Sequence, residues 1–283
     1  MAQDIHQAVT DSIIRTLETG EQGSWQCPWH RRGGGLPRNG LTGRAYRGIN
    51  TLSLWVGAQA AGYADDRWAT YRQWQELGAQ VKKGERSTLV VFWKDLGTDK
   101  EDRPRFVARA SYAFNAAQVE GAPSAGEPMP PSEWTLPEVF AGFVERTGAR
   151  VTHGGDAAFY MPSEDRIILP PRDRFPTAHG YASTALHELT HWTGAKGRLG
   201  RNLSSRFRSQ AYAAEELVAE LGAAFLCAEL GLEAEPHPTQ ASYLASWLKL
   251  LRSGPKAIFT AASAASRAVG YLTSLQASLA EVA

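Results

Sequence analysis

Apolar positions along the chain fall into two periods. In residues 4–19, Ile5, Val9, Ile13, Ile14 and Leu17 share one helical face, and Gly20 follows as a stop. Residues 23–47 are rich in Gly, Pro, Arg and Trp and read as irregular. Helices are predicted over 50–61, ending at Gly62, and over 68–77, ending at Gly78. Residues 88–93 form a β-rich run, 94–105 a charged loop, and 106–114 a partner strand. Residues 121–132, dominated by Pro, Gly and Ser, predict a linker between separable halves at 1–120 and 133–283. Beyond it the pattern gives a helix at 136–147 and a hairpin of 157–161 with 166–169. Helices at 177–193 and 211–231 follow, then a helical pair from 239 broken near Gly254-Pro255.

With 283 residues, 43% hydrophobic and 21% charged, the chain can bury a real core in two domains. Net charge is +1, but residues 22–94 hold 11 Lys/Arg against 4 Asp/Glu. Cys27 and Cys227 stand far apart, which suits a reducing cytoplasm rather than a disulfide framework. The N-terminus lacks the apolar run of a signal peptide, and no window approaches 18 apolar residues. A cytoplasmic protein without a membrane partner is therefore expected.

The chemistry centres on His187-Glu-Leu-Thr-His191. Positions i and i+4 share a helix face, so both imidazoles can reach one Zn²⁺, with Mn²⁺ as the alternative ion, while Glu188 serves as general base. A catalytic metal needs a third protein ligand. Glu216 and Glu220 stand at i and i+4 among apolar neighbours, where unpaired carboxylates are costly. Glu216 is assigned as that ligand, with Glu215 the alternative and a surface charge otherwise. Glu220 is assigned to hold a ligand histidine from behind. His153 and His179 are weaker candidates for substrate contacts. The strand at 157–161 offers its backbone to an extended substrate.

The chain resembles the ArdC antirestriction family. In the second half the resemblance rests on Gly155-Asp-Ala-Ala-Phe-Tyr160, Asp165-Arg-Ile-Ile-Leu-Pro170, His187-Glu-Leu-Thr-His-Trp-Thr-Gly194 and Tyr212-Ala-Ala-Glu-Glu-Leu-Val-Ala-Glu220. In the first half it rests on Gly43-Arg-Ala-Tyr-Arg-Gly-Ile-Asn50, Trp68-Ala-Thr-Tyr-Arg-Gln73, Gly78-Ala-Gln-Val-Lys-Lys-Gly84, Val90-Val-Phe-Trp93 and Phe114-Asn-Ala-Ala-Gln118. It implies an α+β protein of two domains. An N-terminal α+β domain binding single-stranded DNA is joined to a mainly helical zincin-like metallopeptidase domain with a small sheet. It also implies a protein of mobile elements that shields incoming DNA from host restriction.

Read from its residues, the first half interleaves aromatic rings with cations, as single strands require: phosphates take the charge and bases stack on rings. Most of its six tryptophans are needed for a core. The expected contacts are Arg44, Tyr46 and Arg47 on a Gly-flanked segment, with Arg72, Lys82 and Lys83. Asn50 and Asn115 read as turn formers. Two readings follow: a metallopeptidase tethered to DNA, with a host protein as substrate, or a DNA-masking protein whose zincin fold is structural. A two-metal nuclease is disfavoured, because one His-Glu-x-x-His helix does not supply its carboxylates.

Overall fold

The computed structural model describes residues 4–18, 29, 35–98, 101, 104–123, 137–203, 209–235 and 240–277. Most of the expected linker, with Cys27, His30 and His237, lies outside them.

Helix α1 (Ile5–Glu18) buries Val9, Ile13 and Leu17, the stripe its periodicity predicts. Helix α2 (Ile49–Ala61) is apolar nearly all round and buried accordingly. It ends at Gly62, whose φ of 72° is the left-handed conformation that glycine adopts without penalty. Strands β1 (Arg38–Asn39), β2 (Arg67–Thr70), β4 (Thr88–Thr98) and β5 (Pro104–Asn115) form one sheet in the order β1-β2-β5-β4. β1 and β2 run parallel and the other pairs antiparallel. Two departures from the sequence expectation stand out. The predicted helix at 68–77 begins only at Tyr71, as α3 (Tyr71–Glu76). Thr70 closes the strand and caps the helix, its hydroxyl accepting from Gln73 N–H while the Gln73 side chain accepts from Thr70 N–H. The charged loop is shorter than expected, because β4 and β5 continue as a paired ribbon to Thr98 and Pro104. Asn50 is no turn former. From α2 its amide donates to Val91 O at 2.8 Å and accepts from Val91 N at 2.7 Å, fixing β4 against the helix. Asn115 does cap a turn. Strands β3 (Gln80–Val81) and β6 (Val119–Glu120) pair separately.

In the second half, α4 (Pro137–Thr147) precedes a three-stranded sheet of order β7-β9-β8, from β7 (Arg150–His153), β8 (Phe159–Met161) and β9 (Arg166–Leu169). The expected hairpin is present. The parallel partner β7 was not foreseen, since its pairing is not local in sequence. Helices α5 (Ala178–Thr193), α6 (Gln210–Leu230), α7 (Gln240–Ser253) and α8 (Ala257–Ala277) complete the chain.

The two halves share one hydrophobic core rather than packing apart. Ile13, Leu52 and Trp55 belong to the same buried cluster as Phe225, Trp247 and Ile258. Trp55 and Phe225 rings lie 5.6 Å apart. Thr10 Oγ1 donates to Pro255 O at 2.7 Å, and Gly48 N–H donates to Ser266 Oγ at 2.9 Å. Cys227 is buried and free. Among the described residues, no helix is long and apolar enough to cross a membrane.

Candidate metal centre

Helices α5 and α6 carry the site side by side. Each starts on a hydroxyl cap: Thr177 Oγ1 accepts from Gly180 N–H at 2.9 Å, and Ser209 Oγ accepts from Tyr212 N–H at 3.1 Å. Helical spacing puts His187 and His191 on the face of α5 that meets Glu216 of α6. One ligand atom from each of the three lies within 4.8 Å of the others. His187 Nε2 is 3.5 Å from Glu216 Oε2, and His191 Nε2 is 3.7 Å from Glu216 Oε1. The other nitrogen of each ring faces another carboxylate. His187 Nδ1 is 3.3 Å from Glu220, and His191 Nδ1 is 3.1 Å from Glu215. Such outer carboxylates fix ring orientation and raise ligand basicity.

Glu215 is therefore not a solvated surface charge, as the bland sequence reading had it. It is 9% exposed and gripped by Arg201, whose Nη2 lies 3.0 Å from Oε1. Arg201 also donates to Thr193 Oγ1 and Thr190 O, tying the loop after α5 back onto that helix. No motif in the sequence flagged Arg201. Tyr212, one turn before Glu216, was likewise missed as a site residue. It hydrogen-bonds Glu216, and its hydroxyl is 3.0 Å from that of Tyr243.

The electrostatics suit a cation. Four buried carboxylates, Glu188, Glu215, Glu216 and Glu220, crowd two imidazoles and one guanidinium. Burial opposes charge on His187, yet Glu216 and Glu220 overcome it and push its pKa up to about 10. The same carboxylates that favour positive charge on His187 favour a divalent cation between the three side chains. Burial raises the Glu188 carboxyl above its ordinary range, against the pull of both histidines. Burial also pushes Glu215 and Glu216 up, but hydrogen bonds reverse it and hold both below that range: His191 and Arg201 for Glu215, His187 for Glu216. Burial and the Tyr243 hydroxyl raise Tyr212, keeping it a donor.

A cleft of about 230 Å³ opens over these residues, walled on one side by Ala158, Phe159 and Tyr160. β8 is an edge strand, and Tyr160 N–H donates to Glu188. Arg198 secures this wall. It stacks on Trp192 at 3.8 Å, donates to Tyr160 Oη at 3.0 Å and pairs with Asp165. His153 and His179 are engaged away from the centre, His153 with the Tyr181 hydroxyl and His179 with Glu233 N–H.

The expected nucleic-acid residues differ in how far their side chains are already engaged. Arg44, Arg47 and Lys83 are exposed. Arg72 pairs with Glu76, and Lys82 donates to Ala117 O. Tyr46 requires a correction. Its ring is 9% exposed within the core and its hydroxyl donates to Trp68 O, so it offers no face to a base. Open rings stand on the β4–β5 ribbon, where Phe92, Trp93, Phe106 and Tyr112 are each about half exposed, and on α3, where Tyr71 is 43% exposed. Trp29, Trp55, Trp68 and Trp74 are core.

Residues 3–125 match the family model described as the N-terminal domain of anti-restriction factor ArdC, and residues 138–264 that described as zincin-like metallopeptidase. The crystal structure of the antirestriction ArdC protein from the R388 plasmid, metal-free, superposes with a TM-score of 0.80. The sequences are 36% identical, and the match covers 97% of this chain and 98% of that one. Its Mn(II)-bound structure gives 0.79. An uncharacterized protein of Sinorhizobium fredii, y4eC, is 44% identical over 96% of this chain and 92% of its own length. DNA primase TraC of Escherichia coli is 37% identical over 96% of this chain, which spans only 20% of the primase.

Proposed function

The chain belongs to the ArdC antirestriction family, and on that premise we propose that it protects incoming mobile-element DNA by binding single strands while carrying a zinc metallopeptidase-type centre. The observation that carries the second part is the convergence of His187, His191 and Glu216, with a carboxylate behind each imidazole. Zinc suits a His, His, Glu donor set, and the Mn(II) in one similar structure makes manganese the alternative. A divalent ion held there would supply Lewis-acid polarisation of water and of a scissile carbonyl.

The chain's own residues supply the rest. The edge of β8 pairs with the main chain of an extended peptide. Glu188, walled off by both helices and β8, accepts a proton from the attacking water and returns it to the leaving amine. The Tyr212 hydroxyl, released from Glu216, turns its one proton to the developing oxyanion. Glu215 and Glu220 hold the histidine rings, and Arg201 holds Glu215. A host protein is the substrate class this cleft suits.

A second reading, DNA masking with a structural zincin domain, is favoured by the half-exposed Phe92 ring on the same ribbon face as Lys94 and Arg109. Glu188→Gln distinguishes the two. If hydrolysis matters, the variant keeps its metal but fails to protect DNA entering a restricting host. If masking suffices, it protects as well as the unmodified chain.

A further inference from the structure

Away from the metal centre, a groove of about 800 Å³ lies between the β4–β5 ribbon, the start of α1 and the first turns of α8. Its floor is aromatic. Trp93 is in register with Ala108 and Asp95 with Phe106, so Trp93 and Phe106 are diagonal neighbours on one ribbon face. They are 54% and 55% exposed. The partly buried His6 ring lies 6.2 Å from Trp93 and 4.6 Å from Phe259, which is buried, so it joins the ribbon side of the groove to α8. Contiguous rings left open to water mark an interaction site.

The charge on this groove comes from the other half of the chain. Strand residues alternate faces, so Lys94 and Arg109 lie on the ribbon face opposite Trp93. The cations on the lining are Lys256 and Arg267, both exposed, with the Thr260 and Ser263 hydroxyls between them along α8. Asp4 is the carboxylate on the lining, and its Oδ1 accepts from His6 N–H at 2.9 Å. A floor of rings beside a cationic and hydroxylic wall matches the chemistry of a single strand: flat bases on one side, phosphates on the other. An apolar peptide would leave the cations unused, and a duplex hides its base faces.

We infer that this groove is a single-strand DNA site built by both domains, with bases stacked on Trp93 and Phe106 and phosphates held by Lys256 and Arg267. The inference rests on the single-strand-binding reading above and changes its location: the zincin-like half supplies half of the site.

Fluorescence anisotropy of a labelled oligothymidylate with the full chain, at two salt concentrations, tests it. Lys256→Ala/Arg267→Ala should lower the slope of log affinity against log salt by roughly 1.4, at about 0.7 per single-strand phosphate contact. Trp93→Ala should weaken binding about fivefold or more with the slope unchanged, while Trp93→Phe keeps most of the affinity. If neither exposed cation matters while Trp93 does, the site is confined to the first half and the two-domain groove is wrong. If no variant differs from the unmodified chain, the strand lies elsewhere and the groove serves another partner, such as a protein segment. If the unmodified chain binds no oligothymidylate at either salt, the single-strand reading itself fails.

Discussion

A β-carbon placed on Gly222 of α6 would fall 2.5 Å from Thr190 Cγ2 of α5. The proposed metal site depends on this close approach, since two of its candidate ligands ride on α5 and the third on α6. Thr190 is fully buried and its hydroxyl donates to Leu186 O at 2.8 Å, so it has no room to give way. Gly222→Ala should destabilise the fold by about 1–3 kcal/mol through overpacking and weaken metal binding. Gly222→Ala/Thr190→Ala should recover most of both. Guanidinium denaturation with metal titration checks this, and a neutral Gly222→Ala would remove the helix contact from the account.

The carboxylates behind the histidines should matter to the metal without being ligands. Glu220→Gln, Glu215→Gln and Arg201→Ala should each lower metal affinity by roughly 10–100-fold, less than loss of a ligand does. Competition with a chromogenic chelator measures this. Equal losses for Glu215→Gln and Glu216→Gln would reopen which of the two binds the ion.

How far the sequence could be read follows from what is local. The i, i+4 pairs His187/His191 and Glu216/Glu220 announce their common faces, because a helix fixes them without help from the rest of the chain. Glu215 could not be placed that way: its burial depends on how α6 turns against α5 and on Arg201 arriving from a loop. Tyr46 sits in a basic, aromatic, Gly-flanked segment that looks like a nucleic-acid contact, and only packing against Trp68 turns its ring inward. Strand β2 was hidden inside an apparent helix because the Thr70/Gln73 capping box that separates the two lies within residues 68–77, which read as one helix. β7 was hidden because its partner is 16 positions away across another strand.

The two halves should unfold together despite their separate family matches. Trp55 of α2 packs on Phe225 of α6 in the shared core. Tryptophan fluorescence and far-ultraviolet circular dichroism should report one coincident transition. Trp55→Ala should cost about 3–5 kcal/mol and keep that coincidence. Two separate transitions in the unmodified chain would contradict the shared core.

The wall of the cleft should loosen in acid. Hydrogen bonding from Arg198, then from Tyr160, outweighs partial burial and holds Asp165 below the ordinary carboxylate range. Its folded pKa is thus depressed. The stabilisation it gives is present above the unfolded pKa near 3.9 and disappears as pH falls through the folded value. Asp165 has a φ of 47°, which Asn also tolerates, so Asp165→Asn preserves the backbone. The stability gap between this variant and the unmodified chain, measured by denaturation, should close as pH drops below about 4. A gap that persists through that range would place the stabilisation elsewhere.

Elemental analysis of the purified chain decides whether His187, His191 and Glu216 hold one divalent metal. About one equivalent of zinc or manganese per chain is expected, lost in His187→Ala, His191→Ala and Glu216→Gln and kept in Glu188→Gln. A chain that stays metal-free under saturating zinc and manganese, or a Glu216→Gln variant that keeps its full equivalent, would contradict it.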